Sequence, residues 1–278
     1  MKWNIIADSS CDLKNITRIC DNIRFSTVPF IINIGADSYV DDETLDTNIM
    51  IIATENCTHA SQTACPSPYS WYEQFEKAEQ CIAITISSQL SGSYNSANVA
   101  KKMMLEKEPS KKIAILDSYS AGPALVLVVE RLYELIEKQL CFEEVVSQIQ
   151  GFIATQRSVF ALSSFNNLIK NGRMSKLAGI LAGKLSIWGV GIASDEGKIQ
   201  IKTKVRGSSR VLSALIDDMV ERGFMGGAMA ISHCYNACLA EKLREKVKKL
   251  WQTAEIKILP TRGLCSYYAE RGGLIVAF

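Results

Sequence analysis

The chain has 278 residues, 47% hydrophobic and 22% charged, the composition of an ordinary globular protein with enough residues for one large or two smaller domains. Its formal net charge of +2 gives no electrostatic reason to expect nucleic acid or an anionic membrane as a partner. No run approaches the roughly 20 apolar residues that cross a bilayer. The apolar segment at the N-terminus is too short for a signal peptide. We therefore expect a cytoplasmic protein without stable membrane insertion.

Cysteine usage supports the same compartment. Nine cysteines are scattered from Cys11 to Cys265 without a Cys-x-x-Cys pair, so we expect small buried hydrophobic residues in a reducing compartment. The closest cluster, His233-Cys234 with Cys238, lacks a second ligand pair at the spacing of a zinc site. We predict neither a metal site nor a cofactor.

Strand-like and helix-like segments alternate through the first half of the chain. The predicted strands cover residues 2–7, 23–34 (an edge strand or bulge, because of Pro29), 81–86 and 112–116. The predicted helices cover residues 13–22, 47–55, 67–79, 93–108 and a segment that follows residues 117–122. Residues 35–44 are polar and predict a hairpin. This rhythm predicts a parallel sheet with helices on both faces.

The second half has a different pattern. After a helix at 142–156, strands are predicted at 158–163, 228–232, 255–259 and 273–278, with helices at 165–172, 175–181, 208–222 and 236–251. Residues 185–193 and 198–205 flank a polar turn and predict a β-hairpin. We therefore predict an α/β domain at residues 1–155 and an α+β domain at residues 156–278.

Three predicted strands end in hydroxyl-rich loops, namely Asp8-Ser9-Ser10, Ser87-Ser88 and Asp117-Ser118. Ligands of open parallel sheets bind outside the carboxyl ends of the strands, where such loops gather. The second loop continues as Gln89-Leu-Ser-Gly-Ser93 into a helix, whose free N–H groups and dipole favour an anion. The serines Ser88, Ser91 and Ser93 could donate to a carboxylate or a phosphate there, or they could merely cap the helix.

Six motifs in order resemble the DegV family of bacterial fatty-acid-binding proteins over nearly the whole chain. They are Ile5-Ile-Ala-Asp-Ser-Ser-Cys-Asp-Leu13, Thr63-Ala-Cys-Pro-Ser-Pro68, Ser87-Ser-Gln-Leu-Ser-Gly-Ser-Tyr94, Asp117-Ser118 with Gly122, Asn171-Gly-Arg-Met-Ser-Lys176 and Lys204-Val-Arg-Gly207. Any one of them is weak evidence. Their common order and spacing make the resemblance specific.

The resemblance implies the two-domain DegV-like (EDD) fold, with a parallel-sheet α/β/α N-terminal domain, an α+β C-terminal domain and a ligand between them. It implies a long-chain fatty acid whose carboxylate is held by Thr63, Ser88, Ser91 and Gly92 and whose tail lies in an apolar tunnel. Such proteins are not enzymes by themselves. They present the acid to a separate fatty-acid kinase that makes the acyl phosphate for phospholipid synthesis. The resemblance also implies that Arg173 and Arg206 belong to the surface that docks this kinase.

The chain departs from the family pattern in two places. Many members have Lys-Pro where this chain has Trp188-Gly189, and many have His-Thr-Gly-Pro-Gly where this chain has Leu259-Pro-Thr-Arg-Gly263. The histidine of that element lies near the ligand carboxylate in the family. We expect Thr261 or Arg262 to take its place, because a guanidinium can clamp a carboxylate with two hydrogen bonds at any working pH.

Two other functions remain as alternatives. The same helix terminus could hold a different small anion such as a sugar phosphate, in a site with wet polar walls. A serine hydrolase is disfavoured because the chain has no Gly-x-Ser-x-Gly elbow and only two histidines, His59 in a polar loop and His233 at the end of a predicted strand.

Overall fold

The computed structural model describes residues 2–16, 20–57, 61–175 and 187–278. Its strands are β1 (Trp3–Asp8), β2 (Ile23–Val28), β3 (Ile31–Ile34), β4 (Asp37–Val40), β5 (Ser61–Ala64), β6 (Gln80–Thr85), β7 (Lys112–Asp117), β8 (Ser158–Leu162), β9 (Ile187–Ala193), β10 (Ile199–Arg206), β11 (Ala228–His233), β12 (Glu255–Pro260) and β13 (Leu274–Ala277). Its helices are α1 (Thr47–Asn56), α2 (Pro68–Phe75), α3 (Ser93–Lys107), α4 (Pro123–Glu137), α5 (Phe142–Thr155), α6 (Asn166–Lys170), α7 (Ser208–Glu221), α8 (Ala237–Leu250) and α9 (Gly263–Ala269).

The first sheet, here called the parallel sheet, has the strand order β2-β1-β6-β7, and all of its pairs are parallel. Helices cover both of its faces, as the alternation of strands and helices predicts. On one face Ile6 and Ala83 pack against α2 and α3, and on the other Ile5 and Ile82 pack against α4 and α5. Every residue of β1 is buried, which is expected of a central strand between two helical layers.

The second sheet, here called the mixed sheet, has the order β10-β9-β8-β13-β11-β12. One face packs on α7 and α8 through residues such as Val159 and Val190. The other face carries Phe160 and Leu162 and packs on α1, α9 and a small sheet of order β4-β3-β5. The fold is therefore the predicted parallel-sheet α/β unit followed by an α+β unit, with a small third sheet in addition. The predicted domain boundary at 155/156 lies between α5 and β8. The small sheet belongs to the first part of the chain but packs against the mixed sheet.

Three sequence predictions need correction. The helix at 13–22 is absent from residues 13–16 and 20–22, where the Leu13 carbonyl instead accepts a hydrogen bond from Arg262. The extended run 23–34 is two strands in different sheets, because the chain turns at Pro29. Strand β5 was not predicted, because its residues Ser-Gln-Thr-Ala are short and polar. Most of the helix predicted at 175–181 lies outside the described residues.

Two other local predictions, a helix cap and a hairpin, are confirmed. Ser67 caps α2 by accepting a hydrogen bond from the Ser70 amide (3.1 Å), with Pro68 at the first helical position. Strands β9 and β10 form the predicted antiparallel hairpin. The expectation of buried cysteines holds for four of the nine and is wrong for the three exposed ones, Cys65, Cys141 and Cys238. No helix in the described ranges combines the length and the apolar character of a membrane span.

The tip of the β9–β10 hairpin rests on the parallel sheet's edge. The Ser87 hydroxyl donates to the Gly197 carbonyl (2.8 Å), and a Cβ at Gly197 would lie only 2.2 Å from the Ser87 Oγ. Gly197 also has a φ of +83°, which favours glycine. This position therefore needs glycine both for its backbone conformation and for the close contact between the two sheets' loops.

We expect Gly197→Ala to lower the free energy of unfolding more than Gly223→Ala does. Gly223 has a similar φ of +80° but has no atom within 4 Å of its added Cβ, so it reports the left-handed backbone strain alone, roughly 1–2 kcal/mol. Gly197→Ala should cost about 1 kcal/mol more, because it also disrupts the bond to Ser87. Urea unfolding of both variants measures the difference. Equal losses would contradict the tight contact.

Candidate functional site

A cavity lies between the parallel and mixed sheets. The space between its lining atoms, open mouth included, is about 660 Å³. Its walls are mainly apolar, with Phe30, Ile86, Leu90 and Ala121 from the first part of the chain. The opposite wall includes Phe160, Leu162, Leu168, Ile199 and Ile275, together with Leu264, Cys265 and Ala269 of α9. Such a wall suits an apolar ligand.

Four polar side chains join this wall and lie next to one another. Thr63, on β5, has its hydroxyl 2.8 Å from the phenol of Tyr268 on α9. Arg173 donates from Nε to the Leu90 carbonyl (3.1 Å), and Ser91 follows Leu90 directly. Arg173 also lies close enough to Tyr268 to act on its ionisation. Among the described residues, the cavity lining therefore has one polar region, formed by the Arg173 guanidinium and three hydroxyls.

Tyr268 stays neutral in this region. Burial raises the pKa of its phenol, and the hydrogen bond with Thr63 and the charge of Arg173 only partly oppose that effect. A neutral phenol can donate a hydrogen bond to an anion, as can the hydroxyls of Thr63 and Ser91. The arrangement is suited to holding a carboxylate or another small anion beside an apolar chamber.

The loop that carries Ser91 is held by two internal carboxylates. Asp8 Oδ2 accepts from the Ile86 amide (2.9 Å) and the Ser93 hydroxyl (2.7 Å), and Asp117 accepts from the Ser88 amide (3.2 Å). Burial raises the pKa of Asp8, and these hydrogen bonds oppose that effect. The predicted gathering of three loops at the sheet edge is therefore present, but much of their donor capacity is used within the protein.

Two predicted ligand contacts are thus not placed on the cavity wall. Ser88 has its amide engaged by Asp117 and does not line the cavity. Gly92 is exposed, precedes α3 with an ordinary φ of −74°, and lies beside Cys65, whose sulfur would be 3.5 Å from an added Cβ. The structure places Thr63 and Ser91 on the cavity wall. Ser88 and Gly92 are not part of that wall.

The predicted arginine clamp does not form. Arg262 is only 1% exposed, and its guanidinium donates to the carbonyls of Leu13 (3.3 Å) and Asp41 (3.0 Å), away from the cavity lining. Thr261 is also buried and bonds to Ser266 (2.7 Å). Both residues hold the start of α9. The polar groups that reach the cavity are instead Tyr268, one turn further along α9, and Arg173.

Arg173 and Arg206 were predicted to share a docking surface, but the structure separates their environments. Arg173 is half-buried in the cavity wall, and its guanidinium also donates to the Asn171 carbonyl. Arg206 is exposed at the end of β10.

The sequence did not predict Tyr268 as a site residue, because a tyrosine in an apolar helix indicates packing. Its polar role is visible only in its contact with Thr63, 205 positions away.

The described part of the cavity lining contains no histidine. The Nδ1 atom of His233 accepts a hydrogen bond from the Asn236 amide at the start of α8 (3.3 Å), and burial lowers its pKa. His233 is therefore the structural residue that its position predicts. His59 lies outside the described residues. Within the described ranges, no three histidine, cysteine or acidic side chains cluster as metal ligands would.

Comparison with known proteins adds to this geometry. A sequence profile of the DegV family matches residues 2–278. A DegV domain-containing protein of Streptococcus pyogenes serotype M1 is 41% identical over 278 residues, which are 100% of this chain and 99% of that protein.

Solved structures agree with the sequence comparison. The Streptococcus pneumoniae Fatty Acid Kinase (Fak) B3 protein, loaded with linoleic acid, superposes with a TM-score of 0.98 at 41% identity, over 100% of this chain and 99% of that one. A DegV family protein from Eubacterium eligens, loaded with heptadecanoic acid, gives a TM-score of 0.95 at 34% identity, over 99% and 98% of the two chains.

Proposed function

This chain belongs to the DegV family, and on that premise we propose that it binds a long-chain fatty acid and presents it to a separate fatty-acid kinase. The observation that carries the proposal is the apolar cavity between the two sheets, with Thr63, Ser91, Arg173 and Tyr268 gathered in one region of its wall. The tail lies along the apolar wall and the carboxylate meets these four groups. The protein acts in the cytoplasm, needs no cofactor and leaves the chemistry to the kinase.

The acyl tail and the carboxylate contribute differently to the binding free energy. Burial of a tail contributes about 0.8 kcal/mol for each CH₂ group, so a long acyl chain gives on the order of 10 kcal/mol before ordering costs. Each charge-assisted hydrogen bond to the carboxylate contributes roughly 1.5–3 kcal/mol. The tail therefore dominates affinity, while the polar groups fix the orientation and the chemical class of the ligand.

Arg173 supplies the charge that Arg262 was expected to supply. Its half-buried guanidinium is held in place by carbonyls, which neutralise no charge, so its positive charge remains available to a carboxylate. A sugar phosphate on the same groups is disfavoured by the apolar wall opposite them. The absence of a histidine base from the described cavity lining disfavours a hydrolase.

We expect purified protein to carry a long-chain fatty acid. Native mass spectrometry should show one acid per chain, and organic extraction followed by chromatography identifies it. Repeated preparations with no stoichiometric fatty acid would contradict the proposal, and a bound phosphorylated sugar would favour the alternative.

The location of the carboxylate has its own readout in the same preparation. Cys65 lies against the Ser91–Gly92 turn and is exposed, as are Cys141 and Cys238 at distant sites. Bound fatty acid should slow alkylation of Cys65 several-fold and leave alkylation of Cys141 and Cys238 unchanged. If the alkylation rate of Cys65 is the same with and without bound fatty acid, the carboxylate lies elsewhere.

We expect Ser91→Ala to weaken fatty-acid binding about tenfold, the loss of one charge-assisted hydrogen bond. Ser88→Ala, in the same loop but outside the cavity wall, is the matched control and should bind as the parent does. Titration with a fluorescent fatty acid measures affinity, and ligand-free urea unfolding measures stability. If Ser91→Ala loses as much stability as binding free energy, Ser91 is a structural cap instead.

Arg206 remains our candidate for the kinase-docking surface, because it is exposed, lies in the Lys-Val-Arg-Gly motif and is not in the cavity wall. Arg206→Glu should abolish phosphorylation of bound acid by the kinase and leave fatty-acid affinity intact. The same charge reversal at Lys249, exposed on α8, is the control and should not change either quantity. Phosphorylation of the Arg206→Glu protein at the normal rate would place the docking surface elsewhere.

A further inference from the structure

Asp12 is the second aspartate of the first family motif, residues 5–13, and does not line the cavity. It lies instead in a buried charged cluster with Asp41 and Arg262, all of them at most 3% exposed. Asp12 and Asp41 come from the first part of the chain, whereas Arg262 immediately precedes α9 in the second. Buried charges are costly unless they are paired and hydrogen-bonded, so this cluster needs a physical reason.

The two carboxylates hold the first amides of α9. Asp41 accepts from the amides of Gly263 and Leu264, each at 2.8 Å, and Asp12 accepts from the amide of Arg262, also at 2.8 Å. These donors are the N–H groups that a helix leaves without partners at its start. A Cβ at Gly263 would lie 2.6 Å from Asp41 Oδ1, so glycine allows this close approach.

The Arg262 side chain crosses back into the first part of the chain. It donates to the carbonyls of Leu13 and Asp41, and its Nε lies 3.9 Å from Asp41 Oδ1. The cluster therefore contains one cation and two carboxylates. With both carboxylates ionised it carries one uncompensated negative charge away from water.

The cluster is attached directly to the wall of the cavity. Helix α9 contributes Leu264, Cys265, Tyr268 and Ala269 to the lining, and Tyr268 contacts Thr63. The wall cannot move away from the parallel sheet unless the bonds to Asp12 and Asp41 break. Movement of α9 away from the sheet would widen the cavity and ease entry and exit of a tail.

We propose that Asp12, Asp41 and Arg262 form a lock that positions α9 as a wall of the cavity, and that the lock is weaker when both carboxylates are ionised. The effect on α9 needs no ligand. The consequence for cargo, faster exchange with the weaker lock, rests on the proposed function. Asp12 and Asp41 are positioning residues, because they act on the ligand through α9.

The proton belongs mainly to Asp12. Burial raises the pKa of Asp12 to about 7, with the hydrogen bond from the Arg262 amide opposing and the charge of Asp41 adding to the rise. Burial also raises the pKa of Asp41, but the Arg262 guanidinium and two amide donors favour its ionised form. The pair therefore takes up one proton, which we place on Asp12.

Other titratable groups near the lock include two thiols, the His233 imidazole and the Glu270 carboxyl. Burial raises the pKa of Cys11 to about 12 and that of Cys265 well above its usual value, so both thiols stay neutral. Burial lowers the pKa of His233, whose carbonyl bonds to Thr261 just before α9. At the other end of α9, burial raises the pKa of Glu270, which therefore needs its own control.

The sign of the effect follows from linkage. When α9 moves away, Asp12 meets water and its pKa returns towards the ordinary value of about 4. The closed form then binds more protons than the open form, so opening becomes more favourable as the pH rises and levels off above the closed-form pKa. For a closed-form pKa of about 7, the open fraction should grow about tenfold from pH 6 to pH 8.

Hydrogen exchange of the full-length, ligand-free protein tests the lock without any lipid. Protection factors of the Gly263 and Leu264 amides, corrected for the intrinsic pH dependence of exchange, should fall about tenfold from pH 6 to pH 8. Amides of α8 in the same molecule should show no such trend. Asp12→Asn, which preserves the acceptor for the Arg262 amide, should flatten the profile. Glu270→Gln, and Asp46→Asn at the exposed N-cap of α1, should retain it.

Release of a fluorescent fatty acid over the same pH range is the second readout, and it should rise in parallel and lose its slope in Asp12→Asn. A flat wild-type profile at α9, or an unchanged slope in Asp12→Asn, overturns the proposal. If Asp12→Asn does not fold, the wild-type comparison of α9 with α8 decides alone. Protein that binds no fatty acid but shows the α9 slope would refute the proposed function and leave the lock standing.

Discussion

One buried carboxylate, that of Asp8, organises the edge of the parallel sheet on which the cavity depends. It accepts from the Ser10 amide and hydroxyl, from the Ile86 amide and from the Ser93 hydroxyl. These donors belong to the ends of β1 and β6 and to the first residue of α3. Charge-assisted bonds in a buried site are strong, so the Asp8 carboxylate fixes the turn between β6 and α3 before any ligand is present.

The same carboxylate explains why so few of the hydroxyls in these loops face the cavity. A helix N-terminus attracts anions, and here the protein supplies its own at the Ser93 hydroxyl. Ser87 bonds across to Gly197, and the amide of Ser88 bonds to Asp117. Ser91 remains to line the cavity, where Thr63, Arg173 and Tyr268 complete the polar region from three other segments. Preorganisation by internal bonds thus reduces the number of possible ligand contacts but fixes their positions.

Local patterns predicted the parts of this structure that local forces determine. The alternation of apolar runs and helices gave the parallel sheet with its two helical layers, and Ser67-Pro68 identified the start of α2. Strand β5 could not be predicted, because a four-residue polar segment forms a strand only through its pairing with β3. The different roles of Arg173 and Arg262 were equally hidden. Both arginines follow a strand or a turn in a polar stretch of sequence. Their roles differ because they bond to carbonyls more than 80 positions away, Arg173 to that of Leu90 and Arg262 to that of Asp41.

A protein that carries an apolar chain faces a conflict between holding and releasing it. If every wall of the cavity were fixed by apolar packing, each step of opening would expose further apolar surface, at roughly 25 cal/mol for each Å². The α9 wall has apolar contacts as well, but the amides at its start also bond to two buried aspartates. Polar contacts regain water when they separate, so their net strength is modest and depends on protonation. Tail affinity can therefore be set by residues that line the cavity, and the opening of the α9 wall by residues outside the lining.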